Sequence, residues 1–214
     1  GLISAAPPLV TAPAATPALS ETERVLADAS AAFDAGDWAK ARASYRQVLS
    51  VDPANPVAAV GLTEVLMQIG ETREARERAQ ALLAADPGSA RRLFLAGRAS
   101  ARDGRNDEAA ALLDRAMQTA PENADVKREL AAVLFDLQKH REAADMFTSV
   151  TRIDPNDGES WFNACAALLM LDPMPRKQAL EYYEKALRLG EPRDERIEKR
   201  LGSPSIPSDI SPVR

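Results

Sequence analysis

The chain has 214 residues, enough for one sizeable domain or a continuous array of smaller units. Its net charge of −5 leaves no excess of Lys and Arg to displace counterions from a phosphate backbone, so nucleic acid is not an expected partner. Single Cys165 and His140 exclude an intrachain disulfide, a cysteine-cluster metal site and a histidine pair, and no run of about 20 apolar residues exists to span a membrane.

Residues 1–19 are rich in Pro, Ala and Thr and carry no charge. Pro7, Pro8, Pro13 and Pro17 oppose a helix and favour extended backbone. Two readings stand side by side, a flexible tether and an arm that docks. The chain starts at Gly1 instead of Met, which we read as the mark of a removed leading segment. With the tether, this points to an exported bacterial protein, periplasmic or attached to the outer membrane. A cytoplasmic location stays open.

Helical sequence is predicted from Ser20, where Ser20-Glu21-Thr22-Glu23 has the form of a capping box. Pro53, Pro87, Pro121 and Pro155 then recur at a spacing of 34 residues. A fixed period of this length is a repeat architecture. The registers run 22–55, 56–89, 90–123, 124–157 and 158–191, within a body spanning 20–192. Each predicts a first helix, a turn, and a second helix stopped by the Pro. Gly36, Gly70 and Gly104 supply left-handed backbone in the turns. Ala41, Ala75, Ala109 and Ala143, again 34 apart, let antiparallel helices approach closely. Asn55, Ser89 and Asn123 are placed to cap the following first helices.

The fifth register fits only with two residues inserted in its turn, near Pro173 and Pro175. Ala179, Tyr183 and Ala186 then take the repeated places. Residues 193–201 are predicted as a capping helix with Ile197 and Leu201 on one face, as the end of an array requires. Residues 202–214 read as a Ser/Pro-rich tail.

The anchors resemble the tetratricopeptide repeat family, a 34-residue helix–turn–helix unit. They include Gly36-Asp37-Trp38-Ala39-Lys40-Ala41, Tyr45 and Asp52-Pro53 in the first unit, and Gly97 and Ala109 in the third. Leu130, Ala131, Leu134, Ala143 and Phe147 follow in the fourth, and Trp161, Tyr183 and Ala186 in the fifth. Departures are Thr63 and Ala79 in the second unit and Gln138 at the fourth turn. The resemblance implies an all-α, right-handed superhelical solenoid with first helices lining a concave face. It also implies a protein or peptide ligand held on that face.

Carried over in register, the groove shows Phe33, Met67, Phe94, Phe135, Phe162 and Met170 as an apolar row. Beside it stands a basic group, Arg91, Arg98, Arg102 and Arg128. Arginine forks hold carboxylates and aromatic anchors fill pockets, so the expected ligand is acidic and partly apolar. The bland alternative places the rings in the inter-repeat core and pairs the arginines with Asp103, Asp125 or Glu129. One subclass of the family clamps chaperone tails with Lys and Asn. Leu26 and Ser30 stand in those places, so that ligand is not expected.

Catalytic chemistry finds little support. Cys165 falls where small residues pack, His140 at a turn place that packs, and acids alternate with Arg as in Glu71-Thr72-Arg73-Glu74-Ala75-Arg76. No enzyme activity, cofactor or metal is expected. The leading reading is a scaffold in a bacterial envelope assembly. The rivals are a structural homo-oligomer with an arm or tail in a neighbour's groove, and the recognition module of a larger enzyme.

Overall fold

The computed structural model describes residues 20–202. The arm or tether at 1–19 and the tail after Gly202 lie outside the described residues. The described residues form eleven helices and no strand. They are α1 (Glu21–Asp34), α2 (Trp38–Val51), α3 (Pro56–Gln68), α4 (Thr72–Ala85), α5 (Ala90–Arg102), α6 (Asn106–Thr119), α7 (Ala124–Asp136), α8 (His140–Ile153), α9 (Gly158–Leu169), α10 (Arg176–Arg188) and α11 (Glu195–Leu201).

Local chemistry sets the boundaries. Ser20 and Glu23 close a reciprocal box, with the Ser20 N–H donating to Glu23 Oε2 at 2.8 Å and the Glu23 N–H donating to Ser20 Oγ at 3.2 Å. Asn55, Ser89, Asn123 and Asp157 each accept a backbone N–H at the start of α3, α5, α7 and α9. The second helices α2, α4, α6 and α8 start at Trp38, Thr72, Asn106 and His140, and α10 starts two residues late at Arg176. The extra length sits in the turn after α9, which holds Pro173 and Pro175.

Small side chains bring the helices together. Ala41, Ala75, Ala109, Ala143 and Ala179 are each fully buried. One turn later Tyr45, Ala79, Leu113, Phe147 and Tyr183 fill the space between helices. Bulk at one such place demands a glycine opposite. A Cβ on Gly97 would lie 2.6 Å from Leu113 Cγ, and one on Gly61 would run into the Tyr45 ring. Fully buried Leu62, Leu66 and Leu93 each contribute about 1.5–3 kcal/mol of hydrophobic burial.

Consecutive helices pack as antiparallel pairs, and α1, α3, α5 and α7 also touch in turn. First helices therefore form the inner layer and second helices the outer layer of a right-handed solenoid. Its ends are solvated in different ways. On α1, Arg24, Asp28 and Ala31 face water at the places where α3 buries Ala58, Leu62 and Val65. At the other end α11 buries Ile197 and Leu201 and turns its charges outward.

Gly36, Gly70 and Gly104 take positive φ in their turns, and Gln138 takes the same conformation at φ 62° without being glycine. A left-handed non-glycine residue costs about 1–2 kcal/mol. Gln138→Gly is therefore expected to raise stability by about 1 kcal/mol, after the entropy lost from a freer unfolded chain. Urea unfolding of the two proteins measures it.

Candidate functional site

The inner face is not uniform in charge, because α5 alone carries three arginines on it. Arg91, Arg98 and Arg102 are spaced by seven and four residues, which keeps them within about 40° of one another around a helix. The outer two stand about 16 Å apart along the axis. The neighbouring inner helices present Asp34 and Gln68 on one side and Asp136 on the other, in the row that Arg102 occupies.

The three arginines are not equivalent. Arg98 is held, with its guanidinium 5.4 Å from the centre of the Phe94 ring and 3.7 Å from Glu129. Arg91 and Arg102 are exposed, and neither forms an ion pair with a described residue.

Arg128 belongs to a different structure. Its Nη1 lies 2.7 Å from Asp125, and its Nη2 and Nε donate to Asp157 Oδ2 at 2.8 and 3.0 Å. Asp157 also accepts from the Ser160 N–H and hydroxyl at the start of α9. Burial pushes the Asp157 carboxyl up, but the bonds from Ser160 and Arg128 outweigh it and hold its pKa below the usual range. This arginine ties the fourth unit to the fifth.

The apolar row divides in the same way. Met67 is 4% exposed and belongs to the core. Phe33 meets Trp38, Phe135 meets His140 and Phe162 meets Tyr183, with ring centres 5.1, 5.0 and 6.2 Å apart. All three phenylalanines, and Phe94, keep part of their surface open. Met170 is 47% exposed. Between α7 and α9 a recess of about 160 Å³ is lined by Ala132, Phe135, Asp136, Phe147, Asn163 and Ala166. Its size suits one apolar side chain of a ligand.

Two features of the site lie beyond what residue types revealed. Asp157 fits the capping series of Asn55, Ser89 and Asn123, but its second bond to Arg128 needs α7 and α9 side by side. On the outer layer, Arg42 bridges to Glu71 and Arg76 to Asp103, both at 2.8 Å. The 34-residue spacing of Arg42 and Arg76 was a readable signal, while their acceptors follow no period. Bonds from Arg76, and then from Thr72 and Arg105, keep the Asp103 carboxyl below its usual range despite burial.

Cys165 is fully buried and burial pushes its thiol up to about 12, so it stays protonated. His140 starts α8 and stacks edge-on against Phe135. Among the described residues no cluster of His, Cys, Asp or Glu is arranged to hold a metal, and no helix is long and apolar enough to cross a membrane.

Stacked helix pairs of fixed length, small residues at each crossing and an open inner face agree with a match to the family model for the tetratricopeptide repeat over residues 32–96 and 100–168. The chain belongs to the tetratricopeptide repeat family. No curated protein sequence matches it. Solved tetratricopeptide repeat structures resemble it in fold. PilF of Pseudomonas aeruginosa has a TM-score of 0.73 at 23% identity, covering 85% of this chain and 82% of its own. MamA has a TM-score of 0.64 at 24% identity, covering 75% of this chain and 93% of its own. YrrB has a TM-score of 0.59 at 20% identity, covering 79% and 87%.

Proposed function

We propose that this protein is a non-enzymatic scaffold whose inner groove binds a peptide or an extended segment of a partner protein, with α5 as the charged anchor. The carrying observation is the exposed pair Arg91 and Arg102, left without ion-pair partners among the described residues while Arg98 and Arg128 on the same layer are paired. A solvated arginine needs no partner, but two on one stripe beside half-open Phe94 make a carboxylate-and-aromatic anchor. Half-open Phe135 and the recess beside it add an apolar subsite about one unit away. The ligand that fits is acidic where it crosses α5 and apolar where it crosses α7 and α9. Arg98 acts by positioning Phe94 and Glu129, and Arg128 serves the stacking of units.

Membership of a family that binds proteins and peptides supports this reading. So does YrrB, described as a tetratricopeptide repeat protein with an unusual peptide-binding site. The composition of residues 1–19 and the family analogy together support a place in a bacterial envelope assembly.

The test is binding of a fluorescent peptide alternating Glu with Leu and Phe, followed by anisotropy. The double variant Arg91→Glu/Arg102→Glu is expected to lose at least about tenfold in affinity, or about 1.4 kcal/mol, with unchanged thermal unfolding. The wild-type affinity should fall as salt rises. Equal affinity of the two proteins would remove α5 as the anchor.

A further inference from the structure

The outer layer holds a second surface. Its second helices are stitched together by a recurring pair of bridges. Between α2 and α4, Arg42 meets Glu71 at 2.8 Å and Arg46 meets Glu74 at 3.8 Å. From α4, Arg76 meets Asp103 at the end of α5 at 2.8 Å, and the Gln80 amide donates to Glu108 on α6 at 2.6 Å. The donors stand 34 residues apart, so the next pair is Ala110 and Asp114.

At that junction both donors are gone. Ala110 is too short to reach across, and Asp114 is an acid placed toward Glu142, the counterpart of Glu74 and Glu108. The bridges are replaced by an open recess of about 630 Å³ between α6 and α8. Its floor is apolar, made by Met117, Leu130, Leu134 and Met146, and its rim carries Asp114, Glu142 and Asp145. Lys127 and Lys139 also line it. None of these five charged groups forms an ion pair with a described residue, although the two preceding junctions are paired.

We propose that this outer recess docks a basic, amphipathic segment of a partner protein. A partner Arg or Lys takes the place that Arg46 and Gln80 fill within the chain, between the carboxylates of Asp114 and Glu142. An adjoining Leu, Met or Phe of the same segment enters the floor. The acidic rim selects a cation, and the flexible methionines let the floor adapt to the side chain that arrives. This surface lies on the opposite layer from the α5 groove and takes the opposite charge, so one molecule would hold two unlike segments at once.

Four of the five methionines provide the reporters. Met117 and Met146 line the outer recess, whereas Met67 and Met170 sit on the inner layer. Methyl-labelled protein is titrated with a short peptide of alternating Arg and Leu, and with the same peptide carrying Glu for Arg. Saturable shifts of Met117 and Met146, with Met67 and Met170 unmoved, are expected for the basic peptide only. Asp114→Lys/Glu142→Lys is expected to weaken that binding at least about tenfold. Ala110→Arg, which fills part of the recess with a long cationic side chain, should weaken it as well. Arg91→Glu/Arg102→Glu should leave it intact, which separates this result from failure of the inner groove. Shifts at Met170 instead, equal binding of the acidic peptide, or no saturable binding would overturn the proposal. So would a concentration-dependent dimer abolished by Asp114→Lys/Glu142→Lys, since the occupant would then be a second copy.

Discussion

Tyr183→Ala is expected to lower the unfolding free energy by about 3–5 kcal/mol, the range for truncating a fully buried aromatic side chain. The ring fills the crossing of α9 and α10 and touches Phe162. Its hydroxyl reaches further, accepting the Asp194 N–H at 2.7 Å and lying 3.2 Å from Glu198 Oε1. Those bonds fasten the start of α11. Tyr183→Phe keeps the ring and removes only the hydroxyl, so about 1–2 kcal/mol is expected from it. Urea unfolding gives the totals. Hydrogen exchange gives the place, because in a solenoid each unit answers mainly to its neighbours. The Phe variant should lose protection in α11 first, while the Ala variant should lose it across α9 to α11. Equal loss from both variants would mean that the hydroxyl, not the ring, holds the end of the array.

Arg128→Ala is the second large effect, at about 2–3 kcal/mol. Removing one member of a fully buried pair costs about 3–5 kcal/mol because the other charge is stranded. Here Asp157 is 9% exposed but Arg128 is 31% exposed, so water screens part of the interaction. The pair with Asp125, which is 69% exposed, adds little. Acid titration provides an independent check. Asp157 has a folded pKa below its unfolded value, so its contribution is complete above about pH 4 and fades as pH falls through the folded value. Asp103 and Asp194 are lowered in the same sense. Wild-type protein should therefore lose stability on acidification below about pH 4, and Arg128→Ala should lose less over that window because part of the effect is already absent. Parallel acid curves for the two proteins would show that Asp157 owes its low pKa to Ser160 alone.

These two residues also mark the limit of legibility. Tyr183 takes its repeated place once two residues are inserted before it, and that place is fully buried. By sequence Arg128 groups with Arg91, Arg98 and Arg102 as a groove arginine, since all four fall in the groove register of first helices. Only stacking shows that Asp157, 29 residues away, occupies its guanidinium. Met67 falls in the apolar row by the same register, yet it is buried where α3 is enclosed by its neighbours. Composition could not find the outer recess, because Ala110, Asp114 and Glu142 are ordinary surface residues until α6 and α8 are neighbours.

By itself the sequence determined the helix pairs, their length and their caps, since these depend on contacts within a few residues of one another and repeat every 34. Glycine and proline mark the turns and stops through backbone geometry, and small alanines mark the crossings through volume. The tertiary structure alone decided which charges are spent and which remain for a partner. Ion pairs between units join residues about 30 apart, and their formation depends on the angle and separation at which one helix pair lies on the next. Arg91 and Arg102 are left open by that stacking, Arg98 and Arg128 are closed by it, and the missing bridge at Ala110 leaves an acid-rimmed apolar recess.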